Sequence, residues 1–146
     1  MTLLEKLQYI QSNLKAPKNQ YNSFGKYHYR SCEDIQEGVK PLLKETKTVL
    51  TISDEIVQIG GRYYVKATAK LLDCESNQTI ENVAYAREEE SKKGMDASQV
   101  TGATSSYARK YALNGLFCID DNKDADSMDN TNEKVKTITQ KEADVL

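Results

Sequence analysis

No stretch of this chain approaches the roughly 18 consecutive apolar residues that a membrane-spanning helix requires, so no such span is expected. The N-terminal MTLLEKLQYIQSNLKAPK mixes acids and bases among its leucines and does not read as a signal peptide. A cytoplasmic protein is therefore expected. Histidine occurs once, at His28, which excludes a His-rich metal site and leaves no local sign of a Ser–His–Asp triad. Cys32, Cys74 and Cys118 are three, an odd number, and widely spaced, which argues against a disulfide framework and a zinc knuckle. No GxxxxGK[ST] segment is present, so nucleotide-driven chemistry of the P-loop kind is not expected.

An excess of positive charge is also missing. The net charge is -2. Residues 120–146 hold eight acidic side chains against four lysines, a balance of -4 that leaves +2 for residues 1–119. Such a weakly basic body can bind nucleic acid only through a local concentration of cations. The length of 146 residues suits one domain with a modest core. The division expected is a folded domain over 1–119 and a flexible acidic tail over 120–146, where no apolar period is legible.

Leu3, Leu4, Leu7, Ile10 and Leu14 have helical spacing. Regularity breaks across KAPKNQYNSFGKYHY, which contains Pro17, Asn19, Asn22, Ser23 and Gly25. Ser31 with Asp34 starts a second helix, whose apolar face is Ile35, Val39, Leu42 and Leu43; Pro41 is expected to kink or shorten it. Thr48–Ser53 and Glu55–Ile59 read as strand, Gly60-Gly61 as a hairpin turn, and Thr79–Glu89 as a further strand. Between them Arg62–Leu72 alternates cleanly. Tyr63, Val65, Ala67, Ala69 and Leu71 fall on one face; Arg62, Tyr64, Lys66, Thr68 and Lys70 fall on the other. Asp96 and Gln99 form a capping pair for a last helix, with Val100, Thr104, Tyr107, Tyr111 and Leu116 as its apolar stripe. The fold class expected is α+β, an antiparallel meander packed against helices.

Three segments have the composition of a nucleic-acid surface. The even face of Arg62–Lys70 aligns three cations with Tyr64: cations neutralise phosphates and an aromatic ring stacks on an unpaired base. An ordinary solvated sheet face is the plain alternative, since alternation alone demands polar residues outside. Phe24 to Arg30, FGKYHYR, interleaves aromatics with Lys26 and Arg30. Its plain alternative is a loop whose rings turn back on the core. In the last helix, Gly102 leaves the backbone approachable, and Ser105 and Ser106 beside Arg109 and Lys110 suit phosphate oxygens. Its plain alternative is a core helix with two solvated cations. The acidic DDNKDAD fails as an EF-hand loop, with Ala125 where glycine belongs and Thr131 where glutamate belongs. A magnesium nuclease built on Asp120–Asp126 lacks an accompanying Lys or His in any nuclease pattern.

QVTGATSSYARKYALNGLFCIDDNKDAD resembles the signature of the ERF (essential recombination function) family of phage single-strand annealing proteins. YHYRSCEDIQEGVKPLLKE resembles that family's N-terminal part, and RYYVKATAKLLD with AYAREEESKKG resembles its sheet region. These blocks run from Tyr21 to Asp126 in the family's order. The resemblance implies ATP-independent binding of single-stranded DNA and annealing of complementary strands by a homo-oligomer, a ring or filament, in the cytoplasm of a bacterial host. It implies no enzyme and no cofactor. A passive single-strand binder is the alternative, and a host single-strand binding protein is a further partner considered for the tail. The phosphate contacts expected are Arg62, Lys66, Arg109 and Lys110, then Lys26, Arg30 and Arg87; Tyr29 and Tyr64 are the stacking candidates.

Overall fold

The computed structural model describes residues 1–88 and 97–120, and for 97–99 the helical backbone alone. The Asp96–Gln99 capping pair, the end of the expected strand at Glu89 with the ESKKG stretch after it, and the tail beyond Asp120 thus lie outside the described residues. In chain order the elements are α1 (Leu3–Asn13), β1 (Gln20–Asn22), β2 (Tyr27–Tyr29), α2 (Cys32–Thr46), β3 (Thr48–Ile59), β4 (Arg62–Asp73), β5 (Thr79–Arg87) and α3 (Ala97–Phe117). β1 and β2 form a small antiparallel hairpin; β3, β4 and β5 form an antiparallel meander with β4 in the middle. This is the α+β meander-and-helices arrangement that the residue pattern predicts. No helix among the described residues is long and apolar enough to cross a membrane.

Both N-terminal helices start on reciprocal caps. The Thr2 hydroxyl accepts from the Glu5 amide at 3.1 Å while the Thr2 amide donates to Glu5 Oε1 at 2.8 Å. Ser31 and Asp34 repeat the exchange, Asp34 N to Ser31 Oγ at 3.1 Å and Ser31 N to Asp34 Oδ2 at 2.8 Å. Each pair satisfies amides that a helix start leaves orphaned. Pro41 does not shorten α2, which continues to Thr46. Pro41 is solvent-exposed, where a lost backbone bond is cheapest because water replaces it.

β3 is one strand of 12 residues rather than two pieces, paired along its whole length with β4 through the Gly60-Gly61 turn. Gly60 has φ +63, the left-handed conformation that a tight hairpin demands. On β4 the odd face points inward: Val65, Ala67, Ala69 and Leu71 are buried. Their register partners Leu50, Ile52, Ile80, Ala84 and Ala86 pack against the same core.

Helix α3 closes this face on a stripe that keeps Val100, Thr104 and Leu116 of the predicted one but not its two tyrosines. Val100, Thr104, Ala108, Ala112, Leu113, Leu116 and Phe117 are buried, whereas Tyr107 and Tyr111 stay 54% and 48% exposed. The reason is volume. Ala108 and Ala112 share the core with Ala67 and Ala69 of β4, so mid-helix and sheet meet through small side chains, and the one ring that α3 buries, Phe117, lies at its C-terminal end. Gly115 serves the same approach: a Cβ there would lie 2.2 Å from Asn82 Nδ2, which donates to the Ala112 carbonyl at 3.0 Å.

One buried ion pair joins the start of the chain to the sheet. Lys6 Nζ donates to Asp73 Oδ1 at 2.7 Å, with both side chains almost fully enclosed, and also reaches Glu75. The Lys6 ammonium, then the Ser76 hydroxyl and the Glu75 amide, hold the Asp73 carboxyl down to about 2. Lys6 sits among leucines at a helical spacing, and its sequence neighbourhood predicts nothing of this pairing.

Candidate functional site

The β1–β2 hairpin is the segment that the sequence assigns to irregular loop. Its register pairs Gln20 with Tyr29 and Asn22 with Tyr27. Strands of three residues are too short for an alternation signal, and Pro17, Asn19, Asn22 and Gly25 mask it. Folded, the hairpin stands beside α3, and between them lies a groove of about 480 Å³. Lys18, Tyr27, Tyr29 and Arg30 line one wall; Ser106, Tyr107, Lys110 and Tyr111 line the other.

The groove alternates rings and cations. Lys110 Nζ stands 5.4 Å from the centroid of the Tyr29 ring, a cation–π contact that ties the two walls together. Tyr107 and Tyr111, one helical turn apart, lie nearly parallel at 6.3 Å between centroids. Tyr27 and Tyr29 share one face of β2 at 6.0 Å. Arg30 is anchored at the rim: its Nε donates to the Ala16 carbonyl at 2.7 Å and Nη1 to the Asp120 carbonyl at 2.6 Å. Cys32 also borders the groove, but burial pushes its thiol up, so it is held as the neutral thiol and is unsuited to nucleophilic work.

Helical spacing turns Arg109 away from this groove. It faces the sheet edge, where Nε donates to both carboxylate oxygens of Asp54 on β3, at 3.0 and 3.1 Å. The Ser105 hydroxyl bonds the same carboxylate. Asp54 chiefly is what raises the Arg109 guanidinium further above its already high ordinary value. Gly102, in the adjoining shallow cleft with Ser105, Ser106 and Arg109, has open space where a Cβ would go.

Arg62, Tyr64 and Lys66 lie on the opposite side of the sheet from α3. Register puts them beside Ile59, Val57 and Glu55 of β3, with Arg87 of β5 next to Tyr64. Lys66 lies 3.9 Å from Glu55, and Lys70 lies 3.8 Å from Glu81. Lys26 sits in the turn of the small hairpin at φ +56. The nine residues singled out from the sequence thus divide. Tyr29, Arg30 and Lys110 converge on the groove; Arg62, Tyr64, Lys66 and Arg87 share the outer sheet face; Lys26, at the hairpin turn, and Arg109 line neither.

A family model for the ERF superfamily matches residues 3–145. The chain belongs to that superfamily. Over 118 residues it is 73% identical to the essential recombination function protein of Salmonella phage P22, an alignment covering 81% of this chain and 56% of that protein. The ERF chain thus spans a little over half the length of that curated relative. No solved structure matches it.

Within this ERF chain, sequence reasoning missed Lys18, Tyr27, Tyr107 and Tyr111 as groove residues. The last two carried a usable signal, because Tyr107 and Tyr111 flank Lys110 on one helical face. Their aromatic character assigned them to the core instead. Lys18 had no signal, since only the fold of the hairpin brings it to α3. Among the described residues, no cluster of His, Cys, Asp and Glu is suited to hold a metal ion.

Proposed function

We propose that this ERF chain serves phage recombination by binding single-stranded DNA in the groove between the β1–β2 hairpin and α3. It then anneals complementary strands without ATP. The observation that carries this reading is the interleaving of Lys18, Arg30 and Lys110 with Tyr27, Tyr29, Tyr107 and Tyr111 around one concavity. Cations track a phosphate backbone and rings accept the faces of unpaired bases, whatever the sequence, which is the chemistry of non-specific single-strand binding. Duplex DNA keeps its bases stacked inside and offers the rings nothing.

Annealing asks for little more. The groove lowers the repulsion between two polyanions and presents a strand; base pairing supplies the discrimination. No bond is made or broken, so the reading needs no catalytic residue and no cofactor. One groove makes few phosphate contacts, so we further propose that copies of the chain assemble along the strand, multiplying weak sites through effective concentration. The name of the P22 relative, a recombination function, accords with this role.

The deciding experiment follows the annealing of complementary labelled oligonucleotides against protein concentration, with and without ATP. Faster annealing, indifferent to ATP, is the expected result. Binding that slows annealing would mean a passive coat, and DNA cleavage in magnesium would mean a nuclease; either result overturns the proposal.

A further inference from the structure

Phe24 is 98% exposed at the tip of the β1–β2 hairpin. Single exposed apolar residues are common and by themselves carry no message. The turn that holds this one does. Asn22 Oδ1 accepts both the Phe24 and the Gly25 amides at 2.9 Å, and the Asn22 carbonyl accepts from Lys26 N at 2.7 Å. The Asn22 side-chain amide donates to the Tyr27 hydroxyl at 3.1 Å. A Cβ on Gly25 would sit 2.4 Å from the Tyr27 ring, so the turn is packed against a residue of the groove wall. The hairpin is therefore braced from within while the Phe24 ring at its tip points into water.

Accepting the groove as the DNA site, we infer that Phe24 is a base-stacking wedge at its mouth, inserting between successive bases of the bound single strand. Asn22 and Tyr27, the residues that brace the turn, themselves line the groove, so the wedge and the groove are one continuous surface. Lys26, two residues from Phe24, adds a cation beside the wedge. The face of a base accepts an aromatic ring irrespective of sequence. Holding neighbouring bases apart leaves their pairing edges open to an incoming strand.

The chain contains no tryptophan, so Phe24→Trp provides a single fluorescent reporter at the wedge. Titration with oligo(dT) should quench its emission. Phe24→Ala, which removes no core contact, should keep the wild-type circular dichroism and weaken oligo(dT) binding roughly 5- to 150-fold, the equivalent of one lost stack. The slope of log affinity against log salt should not change, because no phosphate contact is lost. Wild-type affinity in Phe24→Ala, with the emission of Phe24→Trp indifferent to DNA, would overturn the wedge while leaving the groove standing. A smaller particle mass for Phe24→Ala in the absence of DNA, with emission of the Phe24→Trp chain that depends on protein concentration alone, would overturn it in favour of a contact between copies of the chain. A wild-type chain that does not bind oligo(dT) at all would overturn both wedge and groove.

Discussion

The groove and the outer face of the meander draw on the same residue types and use them differently. In the groove, cations and tyrosines face one another across a concavity, as Lys110 faces Tyr29 at 5.4 Å. On the outer sheet face the residues are splayed on a pleated surface, and Lys66 and Lys70 each stand opposite a glutamate on a neighbouring strand. Exposed pairs of that kind contribute little energy, typically about 0–1 kcal/mol. They do cancel charge locally, and a flat face cannot hold a base on more than one side. A list of cations and rings does not make a binding site; curvature and charge balance do.

Of the two regions compared, the larger effect should come from removing two of the three cations that line the groove. Lys18→Ala with Lys110→Ala is expected to lower the log–log salt slope for single-strand binding by about 1.4. Affinity should fall roughly 25-fold at about 0.1 M salt, about 0.7 in slope per contact. Filter binding across a salt series reads both, and an unchanged slope would show that the strand does not run through the groove.

A smaller effect is expected at the junction of the two regions. Because Asp54 occupies Arg109, Arg109→Ala should leave the salt slope unchanged. Asp54→Asn should release the guanidinium and tighten binding by up to roughly 5-fold at about 0.1 M salt. If Arg109→Ala instead weakens binding as much as the loss of a groove lysine, Arg109 reaches DNA and the boundary between the two regions is misplaced.

Two glycines of α3 sharpen the comparison further. Gly102→Ala meets open space and should stabilise the fold by about 0.5–1 kcal/mol through helix propensity. Gly115→Ala drives a methyl into Asn82 and should destabilise it by about 1–3 kcal/mol. Urea denaturation separates them. Weaker DNA binding by a stabilised Gly102→Ala chain would extend the binding surface along α3.

The smallest effect is expected on the sheet face, where Lys66→Ala with Lys70→Ala should leave the salt slope and the annealing rate near wild type. A slope reduced as far as in the groove variant would show that the strand runs over the sheet and that the two regions exchange roles.

Period and punctuation determined much of this protein before any packing was known. The Ser31–Asp34 cap, the Gly60-Gly61 hairpin, the alternation of Arg62–Leu72 and the strand after Gln78 are local signals, each carried by residues a few positions apart. They sufficed for an α+β meander with its odd face inward, and for two adjacent cations on α3, of which only Lys110 lines the groove. Tertiary structure decided the rest. Whether Tyr107 and Tyr111 are core or surface depends on the alanines of β4 that α3 meets. Whether Arg109 is available depends on Asp54, 55 positions earlier in the chain. The partner of Lys6 lies 67 positions away. The groove itself exists only because a hairpin of two three-residue strands settles beside α3. Separations of that size leave no periodic trace in a sequence, since they are set by which surfaces bury each other and not by the neighbours of any one residue.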